Sequence, residues 1–231
     1  MKRGKMNKRI IAIGDIHGCY YTMTELIKEC NIDFENDTVV FLGDMCDRGE
    51  HPLLTMSVIK QLQEKHPNNV VALLGNHEDM MKQYYSGKDY NDIWFRNGGN
   101  VTNEQLQTVD IPDRHSLLNW AFRLPLRYET EYFKFCHSGY WFEGKDNCGY
   151  NRVLWDRGWM VLEIPHDNDD RPIIYGHTPH KEPTRYGKDL CIDTGCVYYN
   201  YEGYGTLTAC VIEGAVIVDI KRVRINEQDR R

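Results

Sequence analysis

Three times before Glu78, this chain runs an apolar stretch rich in β-branched residues into a glycine and then into residues able to bind metal. Arg9-Ile10-Ile11-Ala12-Ile13-Gly14 leads to Asp15-Ile16-His17-Gly18. Thr38-Val39-Val40-Phe41-Leu42-Gly43 leads to Asp44-Met45-Cys46-Asp47-Arg48-Gly49. Val70-Val71-Ala72-Leu73-Leu74-Gly75 leads to Asn76-His77-Glu78. Short apolar runs of this composition read as buried strands. A helical pattern follows each one. The first covers Tyr20 to Cys30, with Met23, Leu26, Ile27 and Cys30 on one face; the second covers Pro52 to Glu64; the third covers Asp79 to Tyr85. Strands alternating with helices predict an α/β sheet with covered faces. In such sheets ligands gather at the carboxyl ends of the strands, so the three polar clusters share one rim.

From Leu126 the pattern changes. Leu126 to Thr130 and Tyr132 to Cys136 read as strands joined at Glu131, and His137-Ser138-Gly139 follows. Cys148 to Trp155 reads as a short helix ahead of Asp156-Arg157. Pro172 to Tyr175 is a strand ending in Gly176-His177-Thr178-Pro179. Leu190 to Asp193, Leu207 to Ile212 and Val216 to Ile220 complete the strands. Between the two halves, Pro112 to Phe122 reads as a helix. Trp94-Phe95-Arg96-Asn97-Gly98-Gly99 reads as a packed loop or short helix closed by a turn. With no repeat and no low-complexity linker, residues 1–231 read as one domain with two sheets and flexible ends at 1–8 and 222–231.

The balance of 41% hydrophobic and 27% charged residues is that of a soluble globular protein. A net charge of -6 argues against general nucleic-acid affinity. No apolar run approaches the roughly 20 residues of a membrane span, and the basic start is followed by no signal-peptide core. The eight cysteines contain no C-x-x-C pair, which argues for reduced thiols in a cytoplasm rather than a zinc knuckle. An acidic chain can still handle phosphate if bound cations supply the positive charge.

Five strand ends therefore carry Asp15 and His17, Asp44 and Asp47, Asn76 and His77, His137, and His177. If Asp15-Ile16-His17 is extended, its outer side chains point the same way and reach one ion together. Mixed carboxylate, amide and imidazole ligands suit manganese, iron or zinc. Two such ions about 3.5–4 Å apart lower the pKa of a bridging water toward about 7 and clamp a phosphate for in-line attack. A general acid must then protonate the leaving oxygen. His77 stands beside the ligand-type Asn76 without being needed as a ligand, and a carboxylate such as Asp47 would favour its charged form. Arg48 is suited to bidentate contact with phosphate oxygens.

Gly14-Asp15-Ile16-His17-Gly18, Gly43-Asp44-Met45-Cys46-Asp47-Arg48-Gly49 and Gly75-Asn76-His77-Glu78 resemble the three signature motifs of the PPP-type metallophosphoesterases, the family of serine/threonine protein phosphatases. The resemblance runs from Arg9 to about Ile220 and includes His137-Ser138-Gly139, Gly176-His177-Thr178-Pro179 and Ile192-Asp193-Thr194-Gly195. Asn97-Gly98-Gly99 and Leu154-Trp155-Asp156-Arg157 resemble the short bacterial and phage branch, which includes the lambda-phage-type phosphatase. The resemblance implies an α/β (α+β) fold: a central two-sheet β-sandwich flanked by helices, with a dinuclear metal site at strand ends. It implies Asp15, His17 and Asp44 around one metal and Asp44, Asn76, His137 and His177 around the other, with Asp44 bridging. His77 would be the general acid supported by Asp47, and Arg48 and Arg157 would bind phosphate. The implied cofactors are two divalent ions, manganese in the first place, with iron or zinc as alternatives. The serine-alanine-proline-asparagine-tyrosine motif of the large eukaryotic enzymes is missing, so no regulatory subunit is implied.

The expected function is metal-dependent hydrolysis of phosphate monoesters, above all protein phosphoserine and phosphothreonine, with a phosphoprotein or small phosphorylated molecule as partner and neither nucleic acid nor membrane. The alternative is a dinucleoside polyphosphate hydrolase of the diadenosine tetraphosphate type, a branch that usually lacks an acid at the position of Asp47 and commonly has Asp where Glu78 stands. A third reading, a catalytically silent metal-binding module, conflicts with retention of His77 and Asp47 together.

Overall fold

The computed structural model describes residues 8–89, 91–140, 147–157 and 169–230. In chain order it contains β1 (Arg9–Ile13), α1 (Tyr20–Glu29), β2 (Thr38–Phe41), α2 (Pro52–Lys65), β3 (Val70–Ala72) and α3 (Asn76–Tyr85). Next come α4 (Ile93–Arg96), α5 (Gly99–Leu106), α6 (Ile111–Ala121), β4 (Arg127–Glu129), β5 (Lys134–Cys136) and α7 (Asn147–Trp155). The chain closes with β6 (Ile173–Tyr175), β7 (Thr184–Tyr186), β8 (Asp189–Cys191), β9 (Thr206–Glu213) and β10 (Val216–Arg224).

These strands make two mixed sheets, ordered β10-β9-β1-β2-β3 and β4-β5-β6-β8-β7. In the first sheet β1, β2 and β3 are parallel, and β9 runs antiparallel to β1. In the second, β5, β6 and β8 are parallel. The two-residue period of each strand splits its apolar side chains between two cores. Ile10 and Ala12 of β1, with Val40 and Leu42, meet Phe135 of β5 and Ile174 of β6 between the sheets. Ile11, Ile13, Val39 and Phe41 face the other way, onto Met23 and Leu26 of α1 and Met56 and Ile59 of α2. Ile173 and Tyr175 turn to the outer face of the second sheet and pack with Val153 of α7. Burial on both faces explains why these strands read as continuous apolar runs. The expected architecture of two sheets flanked by helices is thus observed. None of the described helices is long and apolar enough to cross a membrane.

Two sequence readings are corrected and a third is extended. The third helix begins at Asn76 rather than Asp79, because the Glu78 carboxylate reaches back to accept the Gly75 N–H at 3.0 Å and closes the first turn. The short helix closed by a turn expected at Trp94 to Gly99 is observed as α4, and the turn is Asn97-Gly98-Gly99. It joins α4 to a second helix, α5, through Gly98 at φ 96°. The end at 222–231, expected to be flexible, is built into the fold over its described part. β10 stays paired with β9 as far as Arg224 opposite Thr206. Beyond it, the buried Asp229 carboxylate accepts the N–H of Tyr21 at 3.1 Å and of Thr22 at 2.6 Å, at the start of α1. β10 is an edge strand, so its alternating charges mark its solvent face. The other flexible end, at 1–8, lies outside the described residues except for Lys8.

Candidate active site

The polar clusters converge where the strands end. Getting them there strains the backbone. Among the described residues, seven non-glycine residues have positive φ, and five of them are His17, Asp44, Asp47, Arg48 and His177. Left-handed backbone costs such residues on the order of 1–3 kcal/mol each and persists only where surrounding contacts over-determine it. Here the contacts are visible. The Asp44 carbonyl accepts the N–H of Ile16 and His17, and the Glu78 carboxylate accepts the N–H of Asp44, Met45 and Cys46 at 2.9, 2.8 and 3.2 Å. At two positions only glycine leaves room: a Cβ on Gly176 would stand 1.9 Å from Asp15 Oδ1, and one on Gly75 would stand 2.2 Å from Asp44 Oδ1.

Asp44 is central. Its Oδ2 lies 3.5 Å from His17 Nε2 and 3.9 Å from His77 Nε2, and its Oδ1 lies 3.4 Å from His137 Nε2. On the second side, Asn76 Oδ1 lies 2.9 Å from both His137 Nε2 and His177 Nδ1. Two groups of side chains with mutually close ligand atoms result: His17, Asp44 and His77, and Asp44, His137 and His177. Asp44 belongs to both, as a bridging carboxylate must. His137 Nδ1 is held by the Leu42 carbonyl at 2.8 Å and His17 Nδ1 by the Cys46 carbonyl at 2.9 Å. Backbone carbonyls on these nitrogens fix the tautomer that leaves Nε2 as the ligand.

The electrostatics suit a bound cation. Burial raises the Asp15 carboxyl well above its usual range, and Asp193 and Asp44 push it further. Burial likewise raises Asp193 to about 6. Burial pushes Asp44 up too, but His137, His77 and His17 hold it well below the ordinary carboxylate range. Burial drives His17 and His177 well below the usual histidine range, into the neutral form that ligates metal. Burial pushes His137 down, but Asp44 and Asp15 outweigh it and raise this imidazole to about 10. Buried carboxylates, imidazoles and an amide oxygen are the donor types that fit divalent ions of the manganese, iron and zinc type.

His77, a member of the first group, also pairs with Asp47. His77 Nδ1 lies 2.7 Å from Asp47 Oδ2, and both side chains are buried. Asp47 is itself saturated: Trp94 Nε1 donates to Oδ2 at 2.9 Å and Thr102 Oγ1 donates to Oδ1 at 2.6 Å. His77 Nε2 is left facing Asp44 and a cavity of about 290 Å³. Arg48, Arg157, Asn76, His177, Asp193 and Tyr198 also line that cavity. Arg157 donates to the His177 carbonyl at 3.3 Å, and the Arg48 guanidinium contacts His17 Nε2 at 2.6 Å. That nitrogen has one lone pair. His17 Nε2 would hold a cation only with the guanidinium moved off it.

The structure brings together every residue singled out from sequence: Asp15, His17, Asp44, Asp47, Arg48, Asn76, His77, His137, Arg157 and His177. It does so differently from the extended-strand argument. β1 stops at Ile13, and His17 has φ 46°, so Asp15-Ile16-His17 is a turn rather than an extended strand, and the group around His17 and Asp44 contains His77 where Asp15 was expected. The Asp15 carboxylate receives the His177 N–H at 3.0 and 3.1 Å. Sequence reasoning used Glu78 only as part of a motif, and assigned no hydrogen-bonding role to Trp94, Thr102 or Tyr198. Glu78 carried a signal, as the residue three beyond a glycine at a helix start. The other three act across the tertiary structure, where no local spacing exposes them.

Fold and site together define a metal-dependent phosphoesterase. A family model for calcineurin-like phosphoesterases matches residues 8–207, and the chain belongs to that family. It is 24% identical over 199 residues to serine/threonine-protein phosphatase 1 of Salmonella typhimurium, covering 83% of this chain and 88% of that one. It is 28% identical over 222 residues to the asymmetrical bis(5'-nucleosyl)-tetraphosphatase PrpE of Bacillus subtilis, covering 81% and 86%. The crystal structure of a metallophosphoesterase from Sphaerobacter thermophilus superposes with a TM-score of 0.62 at 17% identity, covering 94% and 89%.

Proposed function

We propose that the protein hydrolyses phosphate monoesters, with protein phosphoserine and phosphothreonine as the leading substrate class. The observation that carries this reading is the buried His77–Asp47 pair, with His77 lining a cavity that two arginines also line. Two divalent ions on the Asp44 cluster, manganese in the first place, supply a nucleophilic water near neutral pH and offset phosphate charge. Arg48 and Arg157 orient the phosphoryl oxygens. Asp47 accepts from His77 Nδ1 and orients the ring, so that a proton on Nε2 passes to the leaving oxygen. The P–O ester bond breaks, water supplies the new P–O bond, and the alcohol leaves protonated. The partner is then a phosphoprotein or small phosphorylated molecule, acted on in the cytoplasm. Asn97-Gly98-Gly99 and Leu154-Trp155-Asp156-Arg157 support the short bacterial and phage branch.

A second reading is cleavage of dinucleoside polyphosphates, favoured by the likeness to PrpE over four-fifths of the chain. The deciding experiment compares manganese-loaded protein on phosphoserine peptides, diadenosine tetraphosphate and p-nitrophenyl phosphate. Phosphopeptide turnover well above tetraphosphate turnover is expected. The reverse order overturns the monoesterase reading.

A further inference from the structure

Thr178 stands between the candidate ligand His177 and Pro179, just past the end of β6, and lines the cavity. Its backbone is fully engaged in the fold. The Thr178 N–H donates to the Gly176 carbonyl at 2.8 Å, and the Thr178 carbonyl accepts the Cys191 thiol at 3.4 Å. Its hydroxyl is not. Thr178 Oγ1 is buried and has no hydrogen-bond partner among the described residues. Arg48, Asn76, His77, Arg157 and Asp193, which line the same cavity, each have a side-chain hydrogen bond within the protein. Burying a hydroxyl without a partner is destabilising, and a valine would fill the same shape without that cost. A threonine kept in such a place calls for an acceptor from outside the fold.

We propose that the Thr178 hydroxyl donates a hydrogen bond to a non-bridging oxygen of the substrate phosphoryl group, as a further phosphate contact beside Arg48 and Arg157. This rests on the monoesterase reading and adds a residue to its phosphate grip. Position selects the ligand. Arg157 donates to the His177 carbonyl at 3.3 Å, and that carbonyl belongs to the peptide bond leading into Thr178. The guanidinium and the threonine side chain therefore share one corner of the cavity. A phosphoryl oxygen drawn to Arg157 arrives beside Thr178. The threonine side chain turns about a single bond, so its hydroxyl and methyl exchange places in steps of about 120° while the backbone stays where the turn holds it. An anionic oxygen is the acceptor that rewards this most, because hydrogen bonds to charged groups are shorter and stronger than neutral ones. The hydroxyl also adds a donor without adding a further charge to the two guanidiniums.

Thr178→Val keeps the branched shape and deletes the hydroxyl, whereas Thr178→Ser keeps the hydroxyl and deletes the methyl. Manganese-loaded wild type and both variants are assayed on p-nitrophenyl phosphate, with inorganic phosphate titrated as a competing ligand that reads binding without chemistry. Manganese content and Tm are measured on the same samples in phosphate-free buffer. In Thr178→Val, KM and the phosphate inhibition constant rise about 10-fold, the scale of one hydrogen bond to a charged group, and Thr178→Ser restores most of both. Manganese content is unchanged. Tm is no lower than in wild type, because the deleted hydroxyl had no partner in the fold. A Thr178→Val protein within about two-fold of wild type on both constants overturns the proposal, since a lost charge-assisted bond costs more than that. So does a lower Tm or a loss of manganese, which would give the hydroxyl a structural task instead. Tetraphosphate cleavage with no monoester hydrolysis by the wild type overturns the monoesterase reading alone. The phosphate inhibition constant, read then on tetraphosphate cleavage, still decides Thr178.

Discussion

His77 Nδ1 stands 2.7 Å from Asp47 Oδ2, and both side chains are buried beside the Asp44 cluster. The contact commits Nδ1 to a carboxylate and leaves Nε2 for the reaction. In His77→Asn, turnover of p-nitrophenyl phosphate should fall about 10²–10⁴-fold, the span of a positioned general acid. Metal content, measured by elemental analysis, should be unchanged. Because His77 Nε2 also lies near Asp44, loss of metal in this variant would make His77 a ligand and remove it as the acid.

Asp47 is a strong partner only because Trp94 and Thr102 hold it. Trp94→Phe keeps the packed ring and deletes the 2.9 Å bond to Oδ2. Thr102→Val keeps the shape and deletes the 2.6 Å bond to Oδ1. Each should cost the fold about 1–3 kcal/mol, the penalty of an under-satisfied buried carboxylate. Each should also lower turnover while leaving KM close to wild type. A changed KM with unchanged turnover would place these residues in substrate binding instead.

Glu78 accepts four backbone N–H groups, from Asp44, Met45, Cys46 and Gly75. Glu78→Gln replaces one acceptor oxygen by an NH₂ donor that faces those N–H groups. A loss of about 1–3 kcal/mol is expected, read as a lower midpoint in urea. Manganese affinity should weaken as well, since the turn that aims Asp44 loosens. Wild-type stability in this variant would mean that the turn is held by the Asp44 carbonyl contacts alone.

Divalent metal should stabilise the protein. A ligand that binds only the folded state adds about 2.7 kcal/mol at one hundred times its Kd. Thermal melts with manganese should therefore shift upward and return on chelation. In Asp44→Asn, which weakens the carboxylate of both groups, the shift should largely vanish. An undiminished shift would locate the stabilising ion elsewhere.

The buried Asp229 ties the chain's end to the start of α1. Asp229→Ala removes a helix cap and should cost about 0.5–2 kcal/mol, read as a lower Tm. Activity at low temperature should persist, because the hydrogen bonds of Asp229 run to Tyr21 and Thr22, which are not among the described cavity-lining residues. An unchanged Tm would show that this contact contributes nothing.

The candidate ligands were legible because each stands just beyond an apolar strand, and strand ends in a covered sheet share one rim. Asp15, His17, Asp44, Asn76, His137 and His177 all have this local address. So does His77, one residue past Asn76. The helix-packed core was legible for the same reason: an apolar run buried on both faces carries its own label. What supports the site was not. Trp94 and Thr102 reach Asp47 from α4 and α5, across a fold that only the tertiary structure closes. The extended Asp15-Ile16-His17 failed as an argument because alternation holds only while a strand continues, and β1 ends before Asp15.

By itself, then, the sequence determined which residue types stand at which strand ends, since hydrophobic periodicity is a local property of the chain. The tertiary structure decided what those residues do. It shared Asp44 between two ligand groups, turned Asp47 to His77, and placed Arg48 over Tyr198. Those assignments depend on distances between segments far apart in the chain, and such distances are set by how the two sheets and their helices pack.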